Sequence, residues 1–389
     1  MMEKAKIKDI CDILNGFAFK SENYVTSGIR IIRIANVQKG YLTDTTPVFY
    51  PKNSNDIDQY LLKEDDLLIS LTGNVGRVAI IKKEFLPAAL NQRVACLRLK
   101  SNKVLKEYLF HVLNNNFFEN QCIQFSKGVA QKNMSTEWLK NYEIPIYPIS
   151  EQLRIVTVLN NVRTIIENRK KELSYFDELI KARFVEMFGD CKTNPKAWNT
   201  VELSNIASVG SSKRVFVDQL KNEGVPFYRG TEVGALAEGK RITPELFITP
   251  EHYAELIDFS GKPSVGDLLM PSICPDGRIW VVNTEEPFYF KDGRVLWVHS
   301  ICKDYDPVFL LYTLKDRIMT DYNSIASGTT FAELKIFTLR QCHVFNVPIN
   351  LQREFVAFIH QIDKSKVAVQ KSLEQTKLLF DSLMQQYFG

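Results

Sequence analysis

The sequence lacks nearly every pattern that announces an enzyme. It has no GxxxxGKS or GxxxxGKT phosphate loop, and Gly73-Asn74-Val75-Gly76 reads as a turn. None of the five histidines belongs to an HExxH pair, and there is no GxSxG elbow. Asp276 followed by Glu285-Glu286 loosely resembles a nuclease carboxylate cluster, but no lysine follows at the needed step. A methyltransferase would need a glycine-rich methyl-donor loop and an Asn-Pro-Pro-aromatic tetrad, and Asn194-Pro195-Lys196 is not one. The expected catalytic set, metal site and cofactor are therefore none. No apolar run reaches the roughly 18 residues that span a bilayer, and Met1 to Lys6 lack the apolar segment of a secretory signal. The seven cysteines include no CxxC pair and read as reduced, buried thiols of a cytoplasmic protein.

What is present is a chain of 389 residues, long enough for two or three domains with cores of their own. Basic residues number 49 against 45 acidic, a net charge of +4. That mild excess permits nucleic-acid binding, and local arrangement has to carry the case.

The chain repeats itself. Pro148-Ile149, Gln152, Val156, Lys171, Leu173, Leu179 and Phe188-Gly189 recur 200 residues later as Pro348-Ile349, Gln352, Val356, Lys371, Leu373, Leu379 and Phe388-Gly389. Upstream, Gly28 through Arg33 matches Gly224 through Arg229 at an offset of 196. Asp66-Leu67-Leu68, Gly76-Arg77 and Arg93-Val94 match Asp267-Leu268-Leu269, Gly277-Arg278 and Arg294-Val295 at an offset of 201. Drifting offsets with constant strand cores mark loop insertions in a duplicated module. Runs such as Ile29–Ile34, Asp66–Leu71, Val78–Ile81 and Arg93–Leu99 predict short strands with Gly and Asn turns, interrupted by a helix near Lys106 to Phe118.

Each half closes with a long helix, predicted over about 151–187 and 351–387 and preceded by Pro148 or Pro348. In the second, Phe355, Ile359, Ile362, Lys366, Val369, Leu373, Thr376, Phe380, Leu383 and Tyr387 alternate steps of four and three. In the first, Ile155, Leu159, Val162, Ile166, Leu173, Phe176 and Ile180 keep the same seam, with Arg169 intruding. Matched heptad seams predict that the two helices pair, as a stiff rod between two globular modules.

The remaining polar chemistry sits in loops and suits DNA, where Arg, Lys, Asn, Gln, Ser and Thr contact base edges or phosphates. The candidates in the first half are Lys20, Ser21, Arg33, Asn36, Thr72, Asn74, Arg77, Asn91, Gln92, Arg93, Gln131 and Lys132. Those in the second are Ser212, Lys213, Arg214, Arg229, Thr231, Arg278, Lys291, Arg294 and Thr329. Arg77 with Arg278, and Arg93 with Arg294, occur in both halves and suit either phosphate contact or a structural ion pair. Positions that differ, such as Asn74 against Pro275 and Gln92 against Gly293, are better candidates for base reading.

At this point the chain resembles the specificity subunit of a type I restriction-modification system, over its whole length. The resemblance rests on Ile144-Pro145-Ile146-Tyr147-Pro148-Ile149-Ser150-Glu151-Gln152, the helix ending Phe188-Gly189, Asp66 through Gly73, and Ala89-Leu90-Asn91-Gln92-Arg93. It implies an α+β fold: two similar target-recognition domains, mostly β with short helices, joined by two long helices that pair as an antiparallel coiled coil. The implied boundaries are 1–147 and 190–347 for the recognition domains, with spacer helices at 148–189 and 348–389. The resemblance further implies that each domain reads one half of a split site in double-stranded DNA, and that the coil sets the gap. Two modification (methyltransferase) subunits dock on the coil and its surroundings, and restriction subunits, the ATP-dependent translocase and nuclease, join through that core. No membrane is involved. The competing reading is a stand-alone bipartite DNA-binding regulator. A docking scaffold keeps apolar residues beyond the seam, and Val156, Val158, Val185, Val356, Phe358 and Leu379 lie off it. An enzyme of another kind would act on DNA without partners.

Overall fold

A computed structural model describes residues 3–52, 55–128, 132–327 and 332–389, with only the backbone of Asn55 and Asp56. The chain divides into two compact units, one of Met1–Lys171 with Gln370–Gly389 and one of Glu172–Val369.

The first unit opens with β1 (Glu3–Lys6), a single helical turn α1 (Ile7–Ile10) and β2 (Cys11–Asn15). There follow β3 (Ile29–Ile32), β4 (Phe49–Tyr50), β5 (Leu67–Ser70), β6 (Val78–Ile80), β7 (Ala88–Leu90) and β8 (Val94–Leu99). Helices α2 (Lys106–Leu113), α3 (Asn116–Gln124) and α4 (Thr136–Asn141) precede β9 (Glu143–Ile146) and the long α5 (Ile149–Phe188). An antiparallel sheet runs β2-β8-β5-β6, and a smaller one runs β4-β3-β7, its β3 parallel to β7. β5 is buried on both faces because side chains alternate. Leu67 and Ile69 join Leu97 and the α2 residues Tyr108 and Leu109 in one core, while Leu68 joins Val94, Cys96 and Leu90 in another. The helix expected near Lys106 to Phe118 is broken in two. Asn114 ends the first helix and Asn115 caps the next, accepting a hydrogen bond from the Phe118 N–H at 2.8 Å.

The second unit repeats this plan. Its strands are β10 (Thr200–Glu202), β11 (Ser208–Gly210), β12 (Val225–Tyr228), β13 (Phe247–Ile248), β14 (Leu268–Pro271), β15 (Trp280–Val281), β16 (Tyr289–Phe290) and β17 (Val295–His299). After them come the short pair β18 (Ala326–Ser327) and β19 (Glu333–Leu334), then β20 (His343–Phe345). Its helices are α6 (Gly230–Ala237), α7 (Pro250–Ser260), α8 (Pro307–Ile325), α9 (Ile336–Arg340) and the long α10 (Ile349–Phe388). The sheets run β11-β17-β14-β15 and β13-β12-β16, in the same order and sense as their counterparts. The two-stranded pairs β1-β9 and β10-β20 also correspond.

Several recurring residues now have structural reasons. Gly28 and Gly224 sit at φ +156° and +126°, and a Cβ there would lie 2.2 Å and 2.4 Å from the carbonyl oxygens of Tyr50 and Ile248. Asp66 and Asp267 are buried turn anchors: Asp66 accepts from the Lys63 N–H and from Arg98, Asp267 from the Ser264 N–H and the Trp297 indole. Gln152 and Gln352 are fully buried, and each amide makes the same three bonds. Gln152 accepts from the Leu105 N–H at 2.8 Å and donates to the carbonyls of Lys103 and Tyr147. Gln352 does the same with Asp306, Asp304 and Val347.

The heptad seams close as expected, and within this one chain. In the first unit Ile155, Val156 and Leu159 share a core with Met384 and Phe388. In the second, Ile180, Phe184 and Phe188 pack with Phe355, Val356, Ile359 and Ile362. There the helices run antiparallel, since Asp177 bonds Lys366 at 2.5 Å while Arg183 bonds Glu354 at 3.0 Å. Val156 and Val356 were expected on an outer face, but both are buried. The N-terminal part of each long helix meets its own globular core as well as its partner helix, so two faces are covered there, not one.

In the first unit His111 is buried on α2, with Nε2 2.9 Å from Asn160 Oδ1 on α5. Burial pushes its pKa down from 6.5 to about 4, against a smaller upward pull from that hydrogen bond; nearby Arg163 lowers it and Glu107 raises it. The unfolded chain therefore binds more protons between those values. This contribution to stability is complete above pH 6.5 and declines as pH falls to 4, by up to ~3 kcal/mol. Urea unfolding across this range should show the decline in the unsubstituted protein and a smaller one in His111→Gln. Equal slopes would show that His111 titrates normally.

Candidate nucleic-acid interface

One end of each unit is built by loops that the backbone draws together. In the first unit the Leu71 N–H donates to the Arg93 carbonyl at 2.9 Å, and the Leu71 carbonyl accepts from the Met134 N–H at 2.7 Å. Thr72 bridges to Asn133, and the Gly73 N–H donates to the Lys132 carbonyl at 2.8 Å. The Asn91 N–H reaches the carbonyl of Ile32, the residue before Arg33, and the Gln92 N–H reaches that of Phe17. Gly16 makes that approach possible, since a Cβ there would lie 2.2 Å from the Asn91 carbonyl. Thr72, Asn74, Gln92, Arg93 and Lys132 thus gather beyond the ends of β5 and β8.

The second unit builds the same frame. The Ser272 N–H donates to the Arg294 carbonyl at 2.9 Å, the Leu334 N–H to the Ser272 carbonyl at 2.8 Å, and the Lys291 N–H to the Tyr228 carbonyl at 2.9 Å. Ser211 and Ser212 lie along the same turn through hydroxyl bonds to the carbonyls of Val295 and Phe290.

The side chains differ sharply in how far the fold itself occupies them. Asn36 and Asn91 are buried. Asn36 spends its amide on the Arg33 N–H, the Thr43 carbonyl and Asp44, and Asn91 accepts from the Arg93 N–H. Arg33 donates to the Thr46 carbonyl. Arg77 reaches Gln38 at 2.7 Å, and Arg278 reaches Glu238 and Asp276. Both guanidinium groups thus have partners within their own unit. Arg229 and Thr231 are bonded to Glu232, Arg229 also to Glu245. Burial alone would raise the pKa of Glu232, but the hydrogen bonds from Arg229 and Thr231 hold it down at about 2. Arg214 pairs with Asp292, and Arg294 with Glu333. Lys213 sets its ammonium 4.2 Å from the centre of the Phe259 ring. Lys20 is exposed, 3.8 Å from Glu22, with Ser21 exposed beside it.

Among the described residues, the side chains of Asn74, Gln92, Arg93, Lys132 and Lys291 are exposed and take no partner. Gln131 and Thr329 lie outside the described residues. The first face is therefore basic and open, whereas carboxylates neutralise most cations of the second. Those carboxylates leave no local signature in the sequence, since Glu333 and Asp292 are remote from Arg294 and Arg214 respectively. The seven cysteines are free thiols, six of them buried; burial lifts Cys11 to about 12, far from a reactive thiolate. Among the described residues no His, Cys, Asp and Glu cluster could hold a metal ion, and no helix is long and apolar enough to cross a membrane.

Residues 1–175 match the family model described as type I restriction modification DNA specificity domain. The chain is 29% identical over 184 residues to the type I restriction enzyme MjaVIII specificity subunit of Methanocaldococcus jannaschii, covering 46% of this chain and 43% of that protein. It is 34% identical over 193 residues to the EcoAI specificity subunit of Escherichia coli, covering 46% of this chain and 33% of the relative, so these first relatives are matched over less than half their length. A longer alignment, 23% identical, covers 97% of this chain and 90% of the MjaIX specificity subunit of M. jannaschii. Among solved structures, one described as the structural basis of complex assembly and conformational transition of the type I R-M system aligns over 100% of this chain and 97% of its own, with a TM-score of 0.62 at 17% identity. The type I S subunit from M. genitalium aligns over 100% and 96%, with a TM-score of 0.54 at 15% identity.

Proposed function

We infer that this chain is a type I restriction-modification specificity subunit, the non-catalytic DNA-reading component of such a complex, and that it acts in the cytoplasm. One observation carries the reading: the same loop frame is built twice, with different side chains in each copy. Two unlike readers suit a split site in double-stranded DNA. Each alone gives modest discrimination, and their covalent linkage makes the second contact effectively intramolecular. The relatives are specificity subunits, which favours this reading over a stand-alone regulator.

The partners are two modification subunits, which carry the methyl donor and the methyltransferase chemistry, and through them the restriction subunits. The surfaces of the long helices support docking. Leu153, Ile165, Leu378 and Leu379 are exposed in the first unit, and Tyr175, Leu179, Val185 and Val367 in the second. Arg93, Gln92, Asn74 and Lys132 are the strongest candidates for DNA contact in the first unit, and Lys291 in the second.

Mapping of methylated adenine in cells that carry this chain with its modification partner should give a split motif. A continuous motif, or none, would refute the reading. Arg93→Ala should weaken DNA binding by the complex about 10- to 100-fold, in line with loss of one good contact of ~1–3 kcal/mol. Arg294→Ala should cost less, because Glu333 already holds that guanidinium. Equal losses would contradict the division into open and occupied arginines.

A further inference from the structure

The two units part company at the tip of one turn. Short helical turns at Ser21–Asn23 and Val217–Gln219 occupy the same place, at the offset of 196 that relates Gly28 to Gly224. The first unit presents Lys20-Ser21 there. The second presents Phe216-Val217, which are 58% and 83% exposed.

This exposure is imposed by the fold. Val215 and Leu220, on either side, pack into the small core formed by Val225, Phe227, Ile248, Leu256 and Tyr289. The turn is closed by the Gln219 N–H to the Phe216 carbonyl at 3.1 Å and the Leu220 N–H to the Val217 carbonyl at 3.2 Å. The Gln219 side chain also accepts from the Phe216 N–H at 2.8 Å. Anchored flanks and a locked turn thus hold two apolar side chains in water. The turn follows directly from Lys213 and Arg214, which lie along the Tyr289-to-Val295 turn that also carries Lys291. Arg214 is paired with Asp292 and Asp218 stands exposed in the turn itself, so Lys213 and Lys291 are the cations left beside an apolar tip that suits the major groove, where phosphates flank the 5-methyl group of thymine.

We propose that Phe216 and Val217 read a thymine methyl group in the half-site of the second unit, at the position where the first unit instead presents the polar Lys20-Ser21. The proposal rests on the specificity-subunit reading and adds a chemical class to it: an A·T pair recognised by apolar contact. It also accounts for a second face whose arginines are largely neutralised by carboxylates.

The test uses the complex with its modification subunits and the motif found by methylation mapping. Each thymine of both half-sites is replaced in turn by uracil, which removes only the methyl group. Binding of the unsubstituted protein should weaken about fourfold at one thymine of one half-site, the worth of one buried methyl. F216A/V217A should bind more weakly than the unsubstituted protein and lose the thymine-uracil difference. K20A should keep that difference while showing a shallower salt dependence. The proposal is overturned if no uracil exchange weakens binding, or if F216A/V217A keeps the discrimination. It is also overturned if F216A/V217A instead impairs assembly with the modification subunits, which would make the tip a protein contact. Absence of any split motif would bring down the specificity-subunit reading as well, whereas a split motif without a uracil effect brings down this proposal alone.

Discussion

Replacing Gln352 with leucine should lower the stability of the second unit by ~3–5 kcal/mol, a large share of the 5–15 typical of a whole domain. The amide is fully buried and serves three backbone groups at once: the Asp306 N–H and the carbonyls of Asp304 and Val347. Leucine fills similar space and leaves all three unpaired. Each such loss costs roughly 1–3 kcal/mol, reduced where the backbone relaxes or water enters. Asp306 in turn caps α8 through its bond to the Val308 N–H, so the glutamine ties the start of α10 to the start of α8. Gln152→Leu should produce a loss of the same order through Leu105, Lys103 and Tyr147. Urea unfolding followed by circular dichroism measures both. A loss under about 1 kcal/mol in either variant would show that the latch is dispensable.

Phe355→Ala should cost ~3–5 kcal/mol, as expected for truncating a buried aromatic ring. Phe355 is fully buried, with ring centres of Phe184, Phe188 and Tyr312 between 5.4 and 5.6 Å away, so it joins α5, α8 and α10 in the second unit. Phe355→Leu keeps more of the volume and should lose distinctly less, which makes the ranking informative even if the alanine variant fails to fold. Leu379→Ala provides the contrast. That side chain is 51% exposed, so its removal should change stability by no more than about 0.5 kcal/mol. If the helix surface docks modification subunits, however, Leu379→Ala should reduce co-purification with them. Thermal unfolding and pull-down of the same variants separate the two roles. Unchanged stability with unchanged assembly would remove Leu379 from the docking surface.

Much of the architecture could be read from local pattern. The steps of four and three along Phe355, Ile359 and Ile362 describe a helix with one apolar stripe, and that stripe is buried. Alternation in Leu67, Leu68 and Ile69 describes a strand covered on both faces, and its side chains enter two separate cores. The break at Asn114-Asn115 escaped the helix expected there, because Asn115 acts through a cap on Phe118 that periodicity does not register. The burial of Val156 and Val356 also escaped it, since a heptad seam says which face meets the partner helix and nothing about a globular core on another side.

The candidate site was legible as a set of loops but not as a set of free side chains. The sequence by itself determined the duplication, the paired seams and the turn positions, because these depend on residues within a few steps of one another. Only the tertiary structure decided that Arg93 stands open while Arg294 is held by Glu333, that Asn36 and Asn91 serve the backbone, and that Phe216-Val217 replaces Lys20-Ser21 at a solvent-facing tip. Whether a charge or an amide is available to a ligand depends on which distant groups the chain brings within about 3 Å of it. That proximity is a property of the packed fold and has no local signature.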